Sequence, residues 1–219
     1  MRHTSLLWLC VLLCITMGAS AQCSDTLTCS YPHSFTWQQS ITPSALIATG
    51  TAISFSPLHA SIDAPIHTWL QRDGHQRYEI ENGIQYIPSA SVLLLKACGL
   101  KSQHSWRDLV CLEAGSAILA FAINTSIKHT MDVERPYDGV YNSFPSGHTA
   151  TAFVGAEILR REYGKEYPGI AIAGYSIATG VGIMRMYNNR HWASDVLAGA
   201  GVGILSASIM YWLAPYLRF

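Results

Sequence analysis

The sequence predicts an all-α protein, a helical bundle of about five to six core helices that is embedded in a membrane. Only 13% of the 219 residues are charged, against roughly a quarter in ordinary soluble domains. Residues 196–217 carry no charge, and this stretch can cross a hydrocarbon layer of about 30 Å at about 1.5 Å per residue. Long alternating patterns of apolar and polar residues, which would predict strands, are missing.

The N-terminus has the pattern of an export signal. Arg2 and His3 precede an apolar run at residues 6–17. Four small residues follow at positions 18–21, as at a signal-peptide cleavage site, so cleavage is expected after Ala21. The alternatives are an uncleaved first anchor and a lipoprotein attached through Cys23. No repeat or linker is visible, and the expected organisation is a signal peptide (1–21), an N-terminal segment with amphipathic or partly embedded helices (22–83) and a helical core (84–219).

Four cysteines remain after such a cleavage, in an oxidising compartment. Cys23 and Cys29 are close enough in sequence to close a small loop. Cys98 and Cys111 flank a polar turn, where they either form a disulfide across a helical hairpin or stay unpaired. No spacing typical of zinc ligands is present, so no metal site is expected.

The N-terminal segment contains two weak helix signals. Residues 42–56 are uncharged but polar, and we expect them to pack against the bundle without spanning the membrane. Residues 62–81 are mixed and charged, with Ile62, Ile66 and Trp69 at helical spacing. This second pattern predicts a surface or interfacial helix.

Five firmer apolar helices follow in the core. They are expected at residues 84–100, 109–127, 149–159, 169–184 and 196–217. Glu113 interrupts the second, where it either makes a polar contact inside the bundle or lies at the membrane edge. Gly199 and Gly203 have the four-residue spacing that lets helices approach closely. Tight packing is also expected at Gly174, Gly180, Gly182 and Gly201.

Three short stretches, at residues 128–136, 144–149 and 185–195, concentrate the unusual residues. In the second, Ser146 at a helix start offers a hydroxyl cap beside free backbone N–H groups, where the helix dipole favours an anion. His148 follows in the first turn, placed to give or take a proton. This combination predicts an anion cradle with a proton-transfer group beside it.

The third stretch contains a histidine and a carboxylate four residues apart. On a helix His191 and Asp195 would share a face, so Asp195 can accept a hydrogen bond from one imidazole nitrogen while the other points outward. Lys128, Arg135 and Arg185 supply cations for an anion with several oxygens. If successive helices are antiparallel, all three stretches meet at one end of the bundle.

These residues resemble a known three-part signature. The pattern is similar to that of the type 2 phosphatidic acid phosphatase superfamily, which includes lipid phosphatases, bacterial acid phosphatases and vanadium haloperoxidases. One position differs, because Met184 stands where the family usually has Ser before the Arg of the third motif. The matching motifs are Lys128-x6-Arg135-Pro136, Pro145-Ser146-Gly147-His148 and Arg185-x5-His191-x3-Asp195.

The resemblance implies a role for each motif residue. His191 would attack phosphorus to form a phosphohistidine, oriented by Asp195, and His148 would protonate the leaving oxygen and then activate water. The phosphate-binding residues would be Lys128, Arg135, Ser146, Gly147 and Arg185. No metal or cofactor is implied. The other histidines, at 33, 59, 67, 75, 104 and 129, are expected to be surface or structural residues.

The implied substrate is a phosphorylated membrane lipid: a lipid A phosphate, a polyprenyl diphosphate or a phosphatidyl phosphate. The alternatives are a soluble periplasmic acid phosphatase, a vanadate-dependent haloperoxidase and a packing protein without activity. Balanced charge, with 14 basic and 14 acidic side chains, argues against a nucleic-acid partner, and no obligate protein partner is expected.

Loop charge predicts the orientation of the site. The turns opposite the three stretches carry a basic bias, which marks a cytoplasmic side. The active site is therefore expected to face the periplasm of a bacterial cell envelope. The basic residues concerned are Lys101, Arg107, Arg160, Arg161, Lys165 and Arg218.

Overall fold

A computed structural model describes residues 37–72, 78–137 and 139–217. Over these residues the chain forms eight α-helices and one π-helical turn, with no strand. Six of the helices have 11 residues or more, which confirms the predicted all-α bundle of five to six core helices. The elements are α1 (Gln38–Ser54), the π turn (His59–Asp63), α2 (Ala64–Leu70), α3 (Glu81–Ile84), α4 (Ile87–Ala97), α5 (Trp106–Thr130), α6 (Gly147–Tyr163), α7 (Pro168–Tyr187) and α8 (Ala193–Leu217).

Three of these helices, α5, α7 and α8, are long and apolar enough to cross a membrane. They coincide with the apolar segments predicted at residues 109–127, 169–184 and 196–217. Ile118 and Phe121 on α5 are 68% and 72% exposed, and Ile172 on α7 is 68% exposed. Such large apolar side chains on the outer face of a spanning helix are suited to contact with lipid.

The segment predicted at 84–100 is shorter than expected. Its helix, α4, has only 11 residues, against the roughly 20 that a membrane span needs. Gly99 has a φ of 90° just beyond the end of the helix, a conformation that glycine adopts without steric cost and that commonly follows a helix C-terminus. The helix α4 is therefore too short to be a membrane span by itself.

The prediction of one surface or interfacial helix over residues 62–81 is wrong in its extent. The helical path ends at Leu70, and the helix pair formed by α1 and residues His59–Leu70 is bent by 94°. Residues 78–80 are not helical, and Glu81 at the start of α3 is completely buried. Periodicity missed this break because a buried charged residue has no apolar signature.

The last helix, α8, is the centre of the bundle and packs against α1, α5 and α6. The close approach depends on glycine: a Cβ on Gly199 would lie 2.5 Å from the carbonyl oxygen of Ser146, and one on Gly203 would collide with the carbonyl oxygen of Ala150. The predicted tight packing is thus confirmed at both positions. It is wrong for Gly180, where an added Cβ would meet nothing within 4 Å.

The structure also tests the predictions for several cysteines and histidines. Cys98 and Cys111 are free cysteines, so the alternative without a disulfide holds. His59, His67 and His104 have structural partners, respectively Asp63, Asn189 and Glu162. The expectations for the signal peptide, Cys23, Cys29, His33, His75 and Arg218 lie outside the described residues.

We predict that Gly199→Ala lowers the free energy of unfolding in detergent by about 1–3 kcal/mol, because the new methyl group overpacks the backbone contact between α8 and Ser146. Gly180→Ala is the matched control, since it faces open space within a helix. It is expected to be neutral or stabilising by up to about 1 kcal/mol. Equal unfolding curves for the two variants would contradict the packing role of Gly199.

Candidate active site

The three unusual stretches lie together at one end of the bundle. Lys128, in the last turn of α5, donates hydrogen bonds through Nζ to the carbonyl oxygens of Asn142 and, at 3.4 Å, Ser143. The backbone N–H of Ser146 donates to the carbonyl oxygen of Asp195 at 3.0 Å, joining the start of α6 to the first turn of α8. The antiparallel order of the helices therefore brings the stretches into one site.

His191 is held beside Asp195 in the buried interior of this site. The two residues are 3% and 0% exposed, and Nδ1 of His191 lies 3.4 Å from Oδ2 of Asp195. The prediction that His191 is helical is wrong, because α8 begins at Ala193. Oδ2 of Asp195 accepts a hydrogen bond from the backbone N–H of Trp192 at 2.8 Å. The carboxylate therefore caps the N-terminus of α8 just after His191.

Ser143 completes the histidine–carboxylate pair and was missed by sequence reasoning. It is fully buried; its Oγ donates to Oδ2 of Asp195 at 2.5 Å and lies 3.4 Å from Nδ1 of His191. The only sequence signal was its position three residues before Ser146. A serine in a polar loop is too common for that position to indicate a role.

The second motif begins α6, but not with the hydroxyl cap that was predicted. The side chain of Ser146 makes no capping hydrogen bond and instead accepts one from Oγ1 of Thr149 at 2.8 Å. A Cβ on Gly147 would have no neighbour within 4 Å. The first-turn N–H groups of α6 are thus not occupied by a capping serine, and an anion can approach over Gly147.

His148 lies in the first turn of α6, at the end of the bundle and outside the three candidate spans. Its Nε2 is 2.8 Å from Oδ1 of Asn82. Burial lowers its pKa to about 4, and the positive charges of Arg185, Arg135 and Lys128 act in the same direction. His148 is therefore neutral near pH 7 until an anion offsets the surrounding positive charge.

His191 is also neutral near pH 7. Burial lowers its pKa to about 4, although the hydrogen bond and the negative charge of Asp195 oppose this shift. A neutral imidazole keeps a lone pair on one ring nitrogen, as a nucleophile requires. Because Asp195 and Ser143 lie on the Nδ1 side, Nε2 is the nitrogen available for attack.

Arg185 and Glu81 form a buried ion pair at the edge of the site. Arg185 is 6% exposed, and its Nη1 donates to Oε1 of Glu81 at 3.0 Å. Sequence reasoning missed Glu81 because the two residues are 104 positions apart. The pair places the guanidinium of Arg185 among the cations that act on His148.

An open cavity of about 490 Å³ adjoins the site beside Arg135. Asp132 and Glu134 both line the cavity wall. The indole N–H of Trp192 donates to the carbonyl oxygen of Glu134 at 2.8 Å. The remaining wall includes Ser54, Phe55, His59, Val133 and Pro136.

Fold and site define a class of protein: a membrane-type helical bundle with two histidines and several cationic side chains at one end. The family model of the PAP2 superfamily matches residues 109–219. The matched region is more than half of the 219 residues and contains all three motifs. The chain belongs to the PAP2 superfamily, as the sequence resemblance predicted.

Two curated proteins are similar to this chain. The lipid A 1-phosphatase of Porphyromonas gingivalis is 41% identical over 138 residues, 62% of this chain and 31% of the relative. The bacitracin transport permease protein BcrC of Bacillus licheniformis is 36% identical over 100 residues, 44% of this chain and 41% of the relative. The chain therefore spans less than half the length of both curated relatives.

The crystal structure of Aquifex aeolicus LpxE has the same fold. It superposes with a TM-score of 0.54 at 19% identity, covering 76% of this chain and 99% of that one. At this identity the likeness concerns the fold alone. This likeness agrees with the all-α bundle of this chain, in which three helices of the described residues are long and apolar enough to span a membrane.

Binding of a dianion should be coupled to proton uptake. Sulfate offsets the positive charge around His148 and should raise the low pKa of its imidazole, so we expect uptake of up to about one proton per bound sulfate at mildly acidic pH. Calorimetry in buffers of different ionisation enthalpy measures this uptake. His148→Gln should remove most of it, whereas the exposed His129→Gln should not, and equal uptake in both variants would contradict the prediction.

Ser143→Ala should lower the free energy of unfolding by about 1–3 kcal/mol, because it removes a buried donor from the Asp195 carboxylate. Ser206→Ala is the matched control. Ser206 is equally buried, but its hydroxyl donates to Val202 within the same helix. Chemical unfolding in detergent compares the two variants, and an equal or larger loss for Ser206→Ala would show that Ser143 does not support the site.

Proposed function

We propose that this chain is a membrane phosphatase that hydrolyses a lipid phosphate through a phosphohistidine on His191. The observation that carries the proposal is the buried pair of His191 and Asp195, which shares one site with His148 and three cations. Membership of the PAP2 superfamily and the similarity to a lipid A 1-phosphatase support the reaction class.

In the first step Nε2 of His191 attacks phosphorus. The N–P bond forms while the bond between phosphorus and the leaving oxygen breaks, and His148 gives its proton to that oxygen. The substrate dianion supplies the negative charge that raises the pKa of His148 enough for it to arrive protonated. Asp195 stabilises the positive charge that develops on the ring of His191.

In the second step water attacks the phosphorus of the phosphohistidine. Neutral His148 accepts a proton from this water, the N–P bond breaks, and inorganic phosphate leaves with His191 restored. Lys128, Arg135 and Arg185 would bind the equatorial oxygens, over which the transition state spreads its charge. The backbone of Ser146 and Gly147 would contribute the helix N-terminus.

The cavity beside Arg135 favours a polar leaving group. Carboxylates of Asp132 and Glu134 accept hydrogen bonds from hydroxyl groups, whereas an isoprenoid chain offers no donors and would bury these groups unsatisfied. Among the three expected substrates, a sugar-linked phosphate such as that of lipid A fits best. The named activity of the Porphyromonas gingivalis relative supports the same choice.

The proposed orientation places the site towards the periplasm. Arg160 and Arg161, near the C-terminal end of α6, lie at the opposite end of that helix from His148. With Lys101, Arg107 and Lys165 they form the basic side that would be cytoplasmic.

Phosphate release from detergent-solubilised protein tests the mechanism. His191→Ala should lower the rate by at least about 10⁴-fold, because the covalent route is lost. His129→Ala is the control, since this histidine is exposed and is not one of the fixed residues of the motifs. An unchanged rate in His191→Ala would overturn the proposal. Undiminished release after treatment with EDTA is expected, because no step uses a metal.

Substrate preference tests the cavity. We expect kcat/KM to be highest for a lipid with a sugar-linked phosphate, and Asp132→Asn with Glu134→Gln to lower that value about tenfold or more. The same double variant should leave hydrolysis of a small aryl phosphate unchanged. A preference for polyprenyl diphosphate that survives the double variant would overturn the assignment of the leaving group.

A further inference from the structure

We propose that Glu81 is a positioning residue of the phosphate site, which holds Arg185 in place and offsets part of the cationic charge so that phosphate can leave. This inference rests on the proposed phosphatase function. Glu81 lies outside all three motifs and outside residues 109–219 matched by the family. The sequence placed it at the end of an interfacial helix.

The first observation is the burial of the ion pair. Glu81 is 0% exposed and Arg185 6% exposed, and one hydrogen bond of 3.0 Å joins Oε1 to Nη1. Oε2 of Glu81 and Nε of Arg185 are buried without a hydrogen-bond partner among the described residues. Burying two charges costs several kcal/mol for each ion, and a pair with unsatisfied atoms recovers this cost poorly. Stability alone therefore does not explain its presence.

The second observation is the position of this carboxylate among the cations. Lys128, Arg135 and Arg185 all act on His148, and Asp195 is already bonded to Ser143 and Trp192. In a site of low dielectric constant, three cations would hold a phosphate dianion very tightly. Glu81 weakens that hold at Arg185, while its single bond leaves Nε of the guanidinium for a phosphate oxygen.

The third observation is that the neighbours of Glu81 anchor it firmly. The side chain of Asn188 accepts the backbone N–H of Tyr78 at 3.2 Å and donates to its carbonyl oxygen at 2.7 Å. Asn82 lies 2.8 Å from His148. Residues 78–82 thus bridge the end of α7 and the start of α6, which fixes the carboxylate of Glu81 relative to both motifs.

Inhibition by inorganic phosphate tests the inference. Glu81→Gln keeps an oxygen for Arg185 but removes the charge, so we expect the inhibition constant for phosphate to fall about tenfold and kcat to fall with it as release slows. Glu79→Gln is the control. Glu79 belongs to the same segment, is exposed, and pairs with Arg190 at 3.0 Å, so its loss should leave both values unchanged.

Glu81→Asp covers the case in which Glu81→Gln does not fold. This variant keeps the negative charge but moves it away from Arg185 by the length of one methylene group. We expect the inhibition constant for phosphate to fall about threefold. Unchanged or weaker phosphate inhibition in a folded variant would overturn the role of Glu81, because a purely structural residue would alter the unfolding midpoint without tightening phosphate binding.

The two proposals fail in different ways. Activity of the unmodified chain that disappears in His191→Ala supports the phosphatase, whatever the Glu81 variants do. An active chain in which Glu81→Gln binds phosphate no more tightly overturns only the inference about Glu81. An unmodified chain that releases no phosphate from any lipid overturns both.

Discussion

The buried carboxylate of Asp195 is the interaction on which the rest of the site depends. Its Oδ2 accepts the hydroxyl of Ser143 and the backbone N–H of Trp192, and it lies beside His191. The carbonyl oxygen of the same residue accepts the N–H of Ser146 at the start of α6. One residue in the first turn of α8 therefore fixes three segments, and this is possible only because Gly199 lets α8 approach the backbone of Ser146.

The N-terminal helices support this arrangement from outside the family-matched region. Asp63 accepts the N–H and the hydroxyl of Ser194 at 3.0 and 2.6 Å, so a buried carboxylate lies at the N-terminus of α8, where the helix dipole favours it. His67 bonds at 2.5 Å to Asn189, which has a φ of 62°. The link between α7 and α8 that carries His191 is thus held at both ends.

The sequence predicted the fold and the grouping of the motifs because both depend on local patterns. Apolar runs mark helices, and motif residues at alternate helix ends must meet in an antiparallel bundle. Ser143, Glu81 and Asp63 were not predictable, since their partners are 52, 104 and 131 residues away. His191 was predicted to be helical, but the carboxylate of Asp195 accepts the N–H of Trp192 and caps a helix that begins only at Ala193.

The most direct measurement is the isolation of the covalent intermediate. His148→Ala, rapidly mixed with a radiolabelled aryl phosphate, whose leaving oxygen needs no proton, and quenched in alkali, should retain label on His191, because removing the general base slows hydrolysis of the phosphohistidine. Peptide mapping by mass spectrometry locates the label. Acid-labile, alkali-stable phosphate on His191 is the predicted result. Phosphate release with no label on the protein, or label on another residue, would contradict His191 as the nucleophile.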